Sequence, residues 1–437
     1  MTKKRISRPI NIDHVARIEG KAGIDVTIDK GEVTVAEMNI FEGPRYFEAI
    51  TRGKSVEEAT AVFPRVCSFC AAAHKITAVQ AAESAIGLEV TEQTRKLREL
   101  LYIGDYIESH ALHLFLLALP DFMHHPDAFA MSEEHPKVLQ AGMRLKDIGA
   151  DIQTVIGSRY IHQENVLMGG FGKLPSKKDL ASLSRRLKYL RNDAEEALEA
   201  FVSYRPWPES EMPRIHLALE PYDGTYTIMG DTVHATDGTQ FNAAAYRMRI
   251  DETVVPHSFA KHCHYNEQPF MTGAISRYTL FSGGMTGRAK ELAGLYDEYL
   301  DPSNPLANNF AQAIELVYFV HKALDISTDL SAGLKETERR IQPEFGSSGA
   351  GVSMTEAPRG MLAYTIAVDK AGLVKNVDII TPTAMFLPLM EADLKRTTEG
   401  LLEHGITDEK EIAHRLETIV RSYDPCVSCS VHVAKVE

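Results

Sequence analysis

Two Cys-x-x-Cys pairs stand at opposite ends of a 437-residue chain: Cys67 and Cys70 near the start, Cys426 and Cys429 close to the end. They use four of the five cysteines. Thiolates at this spacing grip a soft metal through two sulfurs on one turn. If both pairs serve one ion, nearly the whole chain must fold around it. A tetrathiolate metal site is the leading reading, and two others stand beside it. Disulfides are one, but sparse cysteine and an N-terminus without a secretory apolar run argue against them. A structural zinc cluster is the stronger competitor, although such sites usually bring their second pair within roughly 15–20 residues of the first.

The net charge of −13 argues against a nucleic-acid-binding surface. The longest apolar run, Ala111 to Leu119, is too short to span a bilayer and contains His113. No repeat, low-complexity tract or linker interrupts the chain, so residues 1–437 are expected to form one body, placed in the cytoplasm.

Hydrophobic periodicity orders the elements. Ala22 to Asp29 and Glu32 to Glu42 alternate about Asp29-Lys30-Gly31, a hairpin signal. Ser55 to Phe63 reads as a helix broken by Pro64, and Cys67 to Ile86 as the next, with Cys70 and His74 on one face. Long helical periods cover Thr91 to Leu119 (ending at Pro120), His135 to Ile156, Ser176 to Tyr204 and Pro305 to Leu334. Strand-like pieces lie at Gly224 to Asp237 and Met361 to Thr381, and Glu391 to Tyr423 is mostly helical. The expected fold class is α+β, a single body dominated by a central bundle of long helices with small peripheral sheets.

The residues around the cysteines carry a family resemblance. Arg65-Val66-Cys67-Ser68-Phe69-Cys70-Ala71-Ala72-Ala73-His74 resembles the RxCxxCxxxH signature of nickel–iron hydrogenase large subunits. Asp424-Pro425-Cys426-Val427-Ser428-Cys429-Ser430-Val431-His432 resembles their DPCxxCxxH signature. Between and before them, in the right order, Arg17-Ile18-Glu19-Gly20, Arg45-Tyr46-Phe47-Glu48, Ser109-His110-Ala111-Leu112-His113, Gly169-Gly170, Ala357-Pro358-Arg359-Gly360 and Thr381-Pro382-Thr383 resemble further elements of that family. Overall length and the Ser-Val-His ending look most like the cytoplasmic, bidirectional, NAD(P)-linked and sulfhydrogenase group.

The resemblance implies the large-subunit fold and a role for each matching residue. Cys67 and Cys426 would be terminal nickel ligands, and Cys70 and Cys429 would bridge nickel to an iron that carries carbon monoxide and two cyanides. Thr383 and the backbone beside Arg359 would donate hydrogen bonds to a cyanide, with Pro358 lining the same part of the cofactor site. His74 would support the cluster from one turn away, as His110 also could. Glu48 and His432 would help hold a second metal, magnesium or iron; a carboxylate suits a hard cation. Dihydrogen is a very weak acid, so its cleavage needs a Lewis acid and a base. Cys426 is the expected base, Glu19 the next proton acceptor, and Arg359 a positive lid over the open position. Read without the motifs, Glu19 would be a surface salt-bridge residue and Arg359 a buried structural charge. Ser109 departs from relatives that carry Asp nearby, and serine cannot act there as an acid–base group.

With four thiols assigned, only Cys263 is left, and an iron–sulfur cluster generally needs four cysteines. Nor is there a flavin or nicotinamide fingerprint. Electrons therefore call for a partner iron–sulfur subunit, which the resemblance extends to a flavin (FAD) subunit meeting NAD(P) and a further iron–sulfur subunit. It also implies a maturation endopeptidase that cuts after His432, making residues 433–437 a removable extension. Alternatives are a deazaflavin-linked or heterodisulfide-reductase-linked hydrogenase and, more distantly, a zinc-stabilised structural subunit. A quinone-site subunit of the respiratory complex I type lacks the paired cysteines. His257, His262, Cys263 and His264 could in principle bind a metal, but adjacent side chains diverge, so a buried cysteine with polar neighbours is expected. Gly169-Gly170-Phe171-Gly172 lacks the context of a nucleotide loop and reads as a tight turn.

Overall fold

The computed structural model describes residues 8–43, 45–222, 224–226 and 228–431. Its centre is a bundle of four long helices, Glu92–Leu112, Pro136–Gly157, Lys177–Val202 and Ala307–Gly333, packed on one another. The last is buried throughout residues 307–320, where even Asn308, Asn309, Gln312 and Glu315 are enclosed. Small sheets surround the bundle, as expected for this α+β class. One joins Arg8–Ile12, Ala22–Asp29 and Glu32–Ile40; its hairpin turns through Lys30 and Gly31, both at positive φ. Another is the antiparallel set Gly349–Ala357, Gly360–Val368 and Val374–Ile380, against which the Ala71–Ile86 helix packs.

Three helix boundaries differ from expectation, each for a local reason. Ser55 and Glu58 form a reciprocal capping box that starts the Val56–Val62 helix, and Pro64 sits in the first turn of the 3-10 segment Phe63–Val66. That segment delivers Cys67 in extended backbone (φ −145°, ψ 146°), so the next helix begins at Ala71 and not at Cys67. Cys67 Sγ instead accepts the Cys70 N–H at 3.3 Å. The bundle helix does not run unbroken to Pro120. A π-helical turn occupies His113–Ala118, and Pro120 lies in the first turn of the short helix Leu119–Phe122, where its missing N–H costs nothing. In that wide turn both His113 nitrogens find partners, Gln312 Oε1 at 2.5 Å and the Arg421 carbonyl at 2.7 Å. Near the C-terminus the helix starts at Pro382, ahead of Glu391, and stops at Glu403. A second, Glu409–Ser422, leads to the last cysteines.

The two-residue turn Pro358-Arg359 joins the first two strands of the second sheet and projects into the molecule. It is held by Arg277, a fully buried side chain on the Ala274–Phe281 helix. Arg277 donates to the carbonyls of Ala357 (3.2 Å) and Pro358 (3.1 Å) and pairs with Glu315 (2.6 Å) and Glu356 (2.9 Å). Burial opposes the charge of Glu315, yet Arg277 and His110 hold its carboxyl down to about 2. Removing one member of such a set strands buried charge. Arg277→Gln is therefore expected to cost about 3–5 kcal/mol of stability, measurable as a lowered denaturation midpoint.

Candidate metal centre

The four cysteine sulfurs meet although almost the whole chain separates the pairs. All lie within 4.8 Å of one another, and no cysteine of the four is more than 5% exposed. Cys67 Sγ is 3.3 Å from Cys426 Sγ, and Cys70 Sγ is 3.5 Å from Cys429 Sγ. The Cys426 and Cys429 sulfurs are also in direct contact. Cys67, then burial, push the Cys70 thiol well above its ordinary range, with Arg359 opposing. Four such sulfurs become thiolates together only around a cation. A soft divalent metal fits this donor set, since ligand sulfurs on a tetrahedral ion lie roughly 3.8 Å apart at metal–sulfur distances of about 2.3 Å. Zinc would satisfy the sulfurs equally, so the surrounding residues decide the chemistry.

Glu19 is the nearest of these. Its backbone bridges to Cys426, and its carbonyl accepts the Val427 N–H at 2.9 Å. This approach requires Gly20: φ is +92°, and a Cβ there would lie 2.6 Å from Val427 Cβ. The half-buried Glu19 carboxylate lies 3.2 Å from Cys426 Sγ. The Ser428 N–H donates to Oε2 at 3.0 Å, and the Ser428 hydroxyl donates to Oε1. Upstream, Arg17 pairs with Asp121, which Arg421 also grips at 2.5 Å. The Glu19 turn and the terminal cysteines are thereby tied to one carboxylate.

Arg359 is 5% exposed and spans Ser109 Oγ (3.2 Å) and Asp424 Oδ1 (3.0 Å), with its guanidinium over the Phe69 ring. Burial works against its charge, but Asp424 and the neighbouring sulfurs raise its pKa above the ordinary arginine value. Asp424 adopts φ 52° and also accepts from Gln312 at 3.1 Å. Lysine can place a point charge here but cannot bridge both partners. Arg359→Lys is expected to lower dihydrogen uptake roughly 10²-fold with nickel and iron content unchanged, as read by metal analysis beside an artificial-acceptor assay.

The structure places the other candidate residues as follows. Thr383 lies in the first turn of the Pro382–Glu403 helix, and its Oγ1 accepts the Cys426 N–H at 2.9 Å, which leaves the hydroxyl proton to donate elsewhere. Pro358 supplies the carbonyl that Arg277 grips. His74, buried one turn beyond Cys70, pairs through Nδ1 with Tyr364 Oη at 2.7 Å. Glu48 is 1% exposed; its Oε1 accepts from Ile379 N–H at 2.8 Å, and its buried Oε2 has no hydrogen-bond partner. Burial pushes this carboxyl up to about 7, against the pull of Ile379 and Lys261. A buried carboxylate with an open oxygen fits a cation ligand. His432 and residues 433–437 lie outside the described residues, while Val431 is hydrogen-bonded to Arg45, three positions from Glu48.

Residues that sequence reasoning passed over also surround the centre. Asp105, one helical turn before Ser109, is buried, and neither carboxylate oxygen has a hydrogen-bond partner. Burial, then Glu108 and Cys67, push its carboxyl well above the usual range. Glu108, buried one turn further on, accepts from Gln153 Nε2 and from the Tyr160 hydroxyl. The available signal was an acid inside an otherwise apolar helical stripe. Asp424 and Ser109 were seen as motif members, but their shared grip on Arg359 was not foreseen.

A family model for nickel-dependent hydrogenases matches residues 45–144 and 219–432. The chain is 46% identical to sulfhydrogenase 1 subunit alpha of Pyrococcus furiosus, over 99% of this chain and 100% of that protein. To sulfhydrogenase 2 subunit alpha of the same organism it is 36% identical, over 98% and 100%. Among solved structures, an NAD+-reducing [NiFe]-hydrogenase in its H2-reduced state superposes with a TM-score of 0.90 at 24% identity, covering 98% of this chain and 100% of that one. The likeness in fold and the match over nearly the full length agree: this chain belongs to the nickel-dependent hydrogenase family.

Proposed function

We propose that the chain is the catalytic subunit of a reversible hydrogenase, H2 ⇌ 2 H+ + 2 e−, whose electrons pass to or from NAD(P) through partner subunits. The observation that carries this reading is the contact of Glu19 with Cys426 beside a four-sulfur centre. Cys67, Cys70, Cys426 and Cys429 would hold the nickel–iron centre, whose iron would carry carbon monoxide and cyanide. When bound, this centre supplies the two-electron chemistry of heterolytic dihydrogen cleavage. The chain's own residues manage the proton and the positions. Cys426 Sγ takes the proton, and Glu19 Oε2 receives it across 3.2 Å. Ser428 orients the Glu19 carboxylate through two donors. Arg359, kept charged by Asp424, would cover the reacting position, and Thr383 and the turn at Pro358 would hold the diatomic ligands. Glu48, with His432, would hold the second metal, magnesium or iron.

The electron path supports partner subunits. Among the described residues Cys263 is the cysteine left over, buried in an apolar cluster away from the four, and it cannot hold an iron–sulfur cluster. The sulfhydrogenase relatives are themselves alpha subunits. We infer a small iron–sulfur subunit, a further iron–sulfur subunit and an FAD subunit meeting NAD(P), with sulfur or polysulfide as a second acceptor. No described helix is long and apolar enough to cross a membrane, consistent with a cytoplasmic complex. Removal of residues 433–437 by a maturation endopeptidase completes the proposal.

A second reading, deazaflavin-linked, draws on a 28% identity to coenzyme F420 hydrogenase subunit alpha of Methanocaldococcus jannaschii. One experiment tests both. The anaerobically matured complex is assayed for dihydrogen-dependent reduction of NADP+, NAD+ and deazaflavin, with infrared spectra recorded on the same sample. Pyridine-nucleotide reduction with carbon monoxide and cyanide bands is expected. Deazaflavin reduction alone would favour the second reading, and stoichiometric zinc without nickel would overturn both.

A further inference from the structure

The His257–His264 segment does something its sequence does not announce. His262 and Cys263 do diverge: Cys263 is buried among apolar residues. His262, however, faces the opposite way and converges with His257 on Glu391 of the distant Pro382–Glu403 helix. One ligand atom from each lies within 4.8 Å of the others. His257 Nε2 is 2.8 Å, and His262 Nε2 3.7 Å, from Glu391 Oε1. The imidazole rings stand edge to face with centroids 5.5 Å apart.

We propose that His257, His262 and Glu391 form a site for a divalent transition-metal ion of the zinc class, separate from the four-sulfur centre. Two imidazoles and one carboxylate are a recurrent three-ligand set for such ions, with a fourth position left open. Ligand atoms on a tetrahedral ion at about 2.0–2.1 Å lie roughly 3.4 Å apart, between the two distances found here. Small side-chain shifts would seat the ion.

Three observations set this site apart from an ordinary hydrogen-bonded tie. His262 is 4% exposed, yet its Nε2 has no hydrogen-bond partner and faces Glu391. A buried ring nitrogen aimed at a carboxylate without bonding it is what a ligand set looks like with no ion between. Second, Glu37 Oε1 lies 3.8 Å from His257 Nδ1, on the far side of the ring from Glu391. It sets a negative charge behind the ring, beyond hydrogen-bond distance, on the side where outer carboxylates of ligating histidines stand. Third, the frame is rigid: Met38 N–H donates to Glu391 Oε1 at 2.9 Å, and Phe259 N–H to the Ile40 carbonyl at 2.9 Å. Burial, then His257 and His264, also depress His262 to about 4, so the ring is the neutral, ligating form at neutral pH. The cluster His125, Glu134 and His135 is more exposed and has no such orphaned atom.

The test uses the matured complex after mild chelation, titrated with cobalt(II) alone. Wild type is expected to bind one further equivalent at micromolar concentration, with ligand-field bands in the visible and no sulfur charge-transfer band. Zinc should displace it. His262→Gln and Glu391→Gln should each abolish the bands while nickel content stays at the wild-type value. Wild type without the bands, a sulfur charge-transfer signature, or variants that bind as wild type does (an adventitious ion only) would overturn the site. Should a variant also lose nickel, the wild-type spectrum decides. Hydrogenase activity plays no part in the readout, so failure here leaves the proposed function standing.

Discussion

Glu19→Gln is expected to lower dihydrogen/deuterium exchange by 10²-fold or more, the usual worth of a positioned acid–base group. The amide is nearly isosteric and keeps an oxygen for the Ser428 N–H, and the Ser428 hydroxyl can turn to accept from its NH2, but it cannot accept the proton from Cys426 Sγ. Nickel and iron should stay at wild-type levels, because the four sulfurs are untouched. Glu19→Asp keeps the carboxylate but draws it back by one methylene, and should fall between the two. Exchange measured beside metal content separates a proton defect from an assembly defect. Full exchange in the amide variant would remove Glu19 from the proton path and leave its two Ser428 contacts as a merely structural clasp on the terminal loop.

The second large effect concerns the metal itself. Cys70→Ser is expected to yield a folded chain with nickel and iron near zero and no exchange activity. Serine offers a hard, protonated oxygen where a soft ion needs a thiolate. Cys70 Sγ lies 3.5 Å from Cys429 Sγ, and its loss removes one of the four sulfurs that meet within 4.8 Å. The chain should survive, because the substitution removes little volume and leaves one unsatisfied hydroxyl, worth about 1–3 kcal/mol. Cys263→Ser is the control: that thiol is fully buried in the smaller apolar cluster and should leave both metals in place. Metal analysis of the matured protein reads the outcome. A Cys70→Ser chain holding wild-type nickel would refute the assignment of that sulfur.

The contrast between Glu19 and Asp105 shows how much of the centre could be read in advance. Glu19 was accessible through the Arg17–Gly20 motif, because a short element carries its own neighbours. Asp105 is hidden: it is one of several charged residues in Glu92–Leu112, and only burial without a partner marks it. Arg359 was recognised, but its partners Ser109 and Asp424 stand on other elements, and the Ser109 contact crosses 250 positions. His257 and His262 carry ligand chemistry in the sequence, but adjacent side chains diverge along the strand His262–Tyr265. Glu391, which draws them together from 134 positions beyond His257, gave no local sign.

What the order of residues settled by short-range physics is the set of elements and the donor chemistry. Alternation at Ala22–Asp29, the Ser55–Glu58 capping box and the long apolar stripes define strands and helices within a few residues. The two Cys-x-x-Cys pairs define a soft-metal donor set without reference to the fold. Packing alone decided that these sulfurs meet, because their distance depends on a large buried core and on a few close approaches between the chain's ends. Gly20 lies against Val427, and Arg421 bonds the Ala16 carbonyl at 2.8 Å. Such contacts join residues some 400 positions apart and exist only when everything between has condensed. No local propensity encodes them.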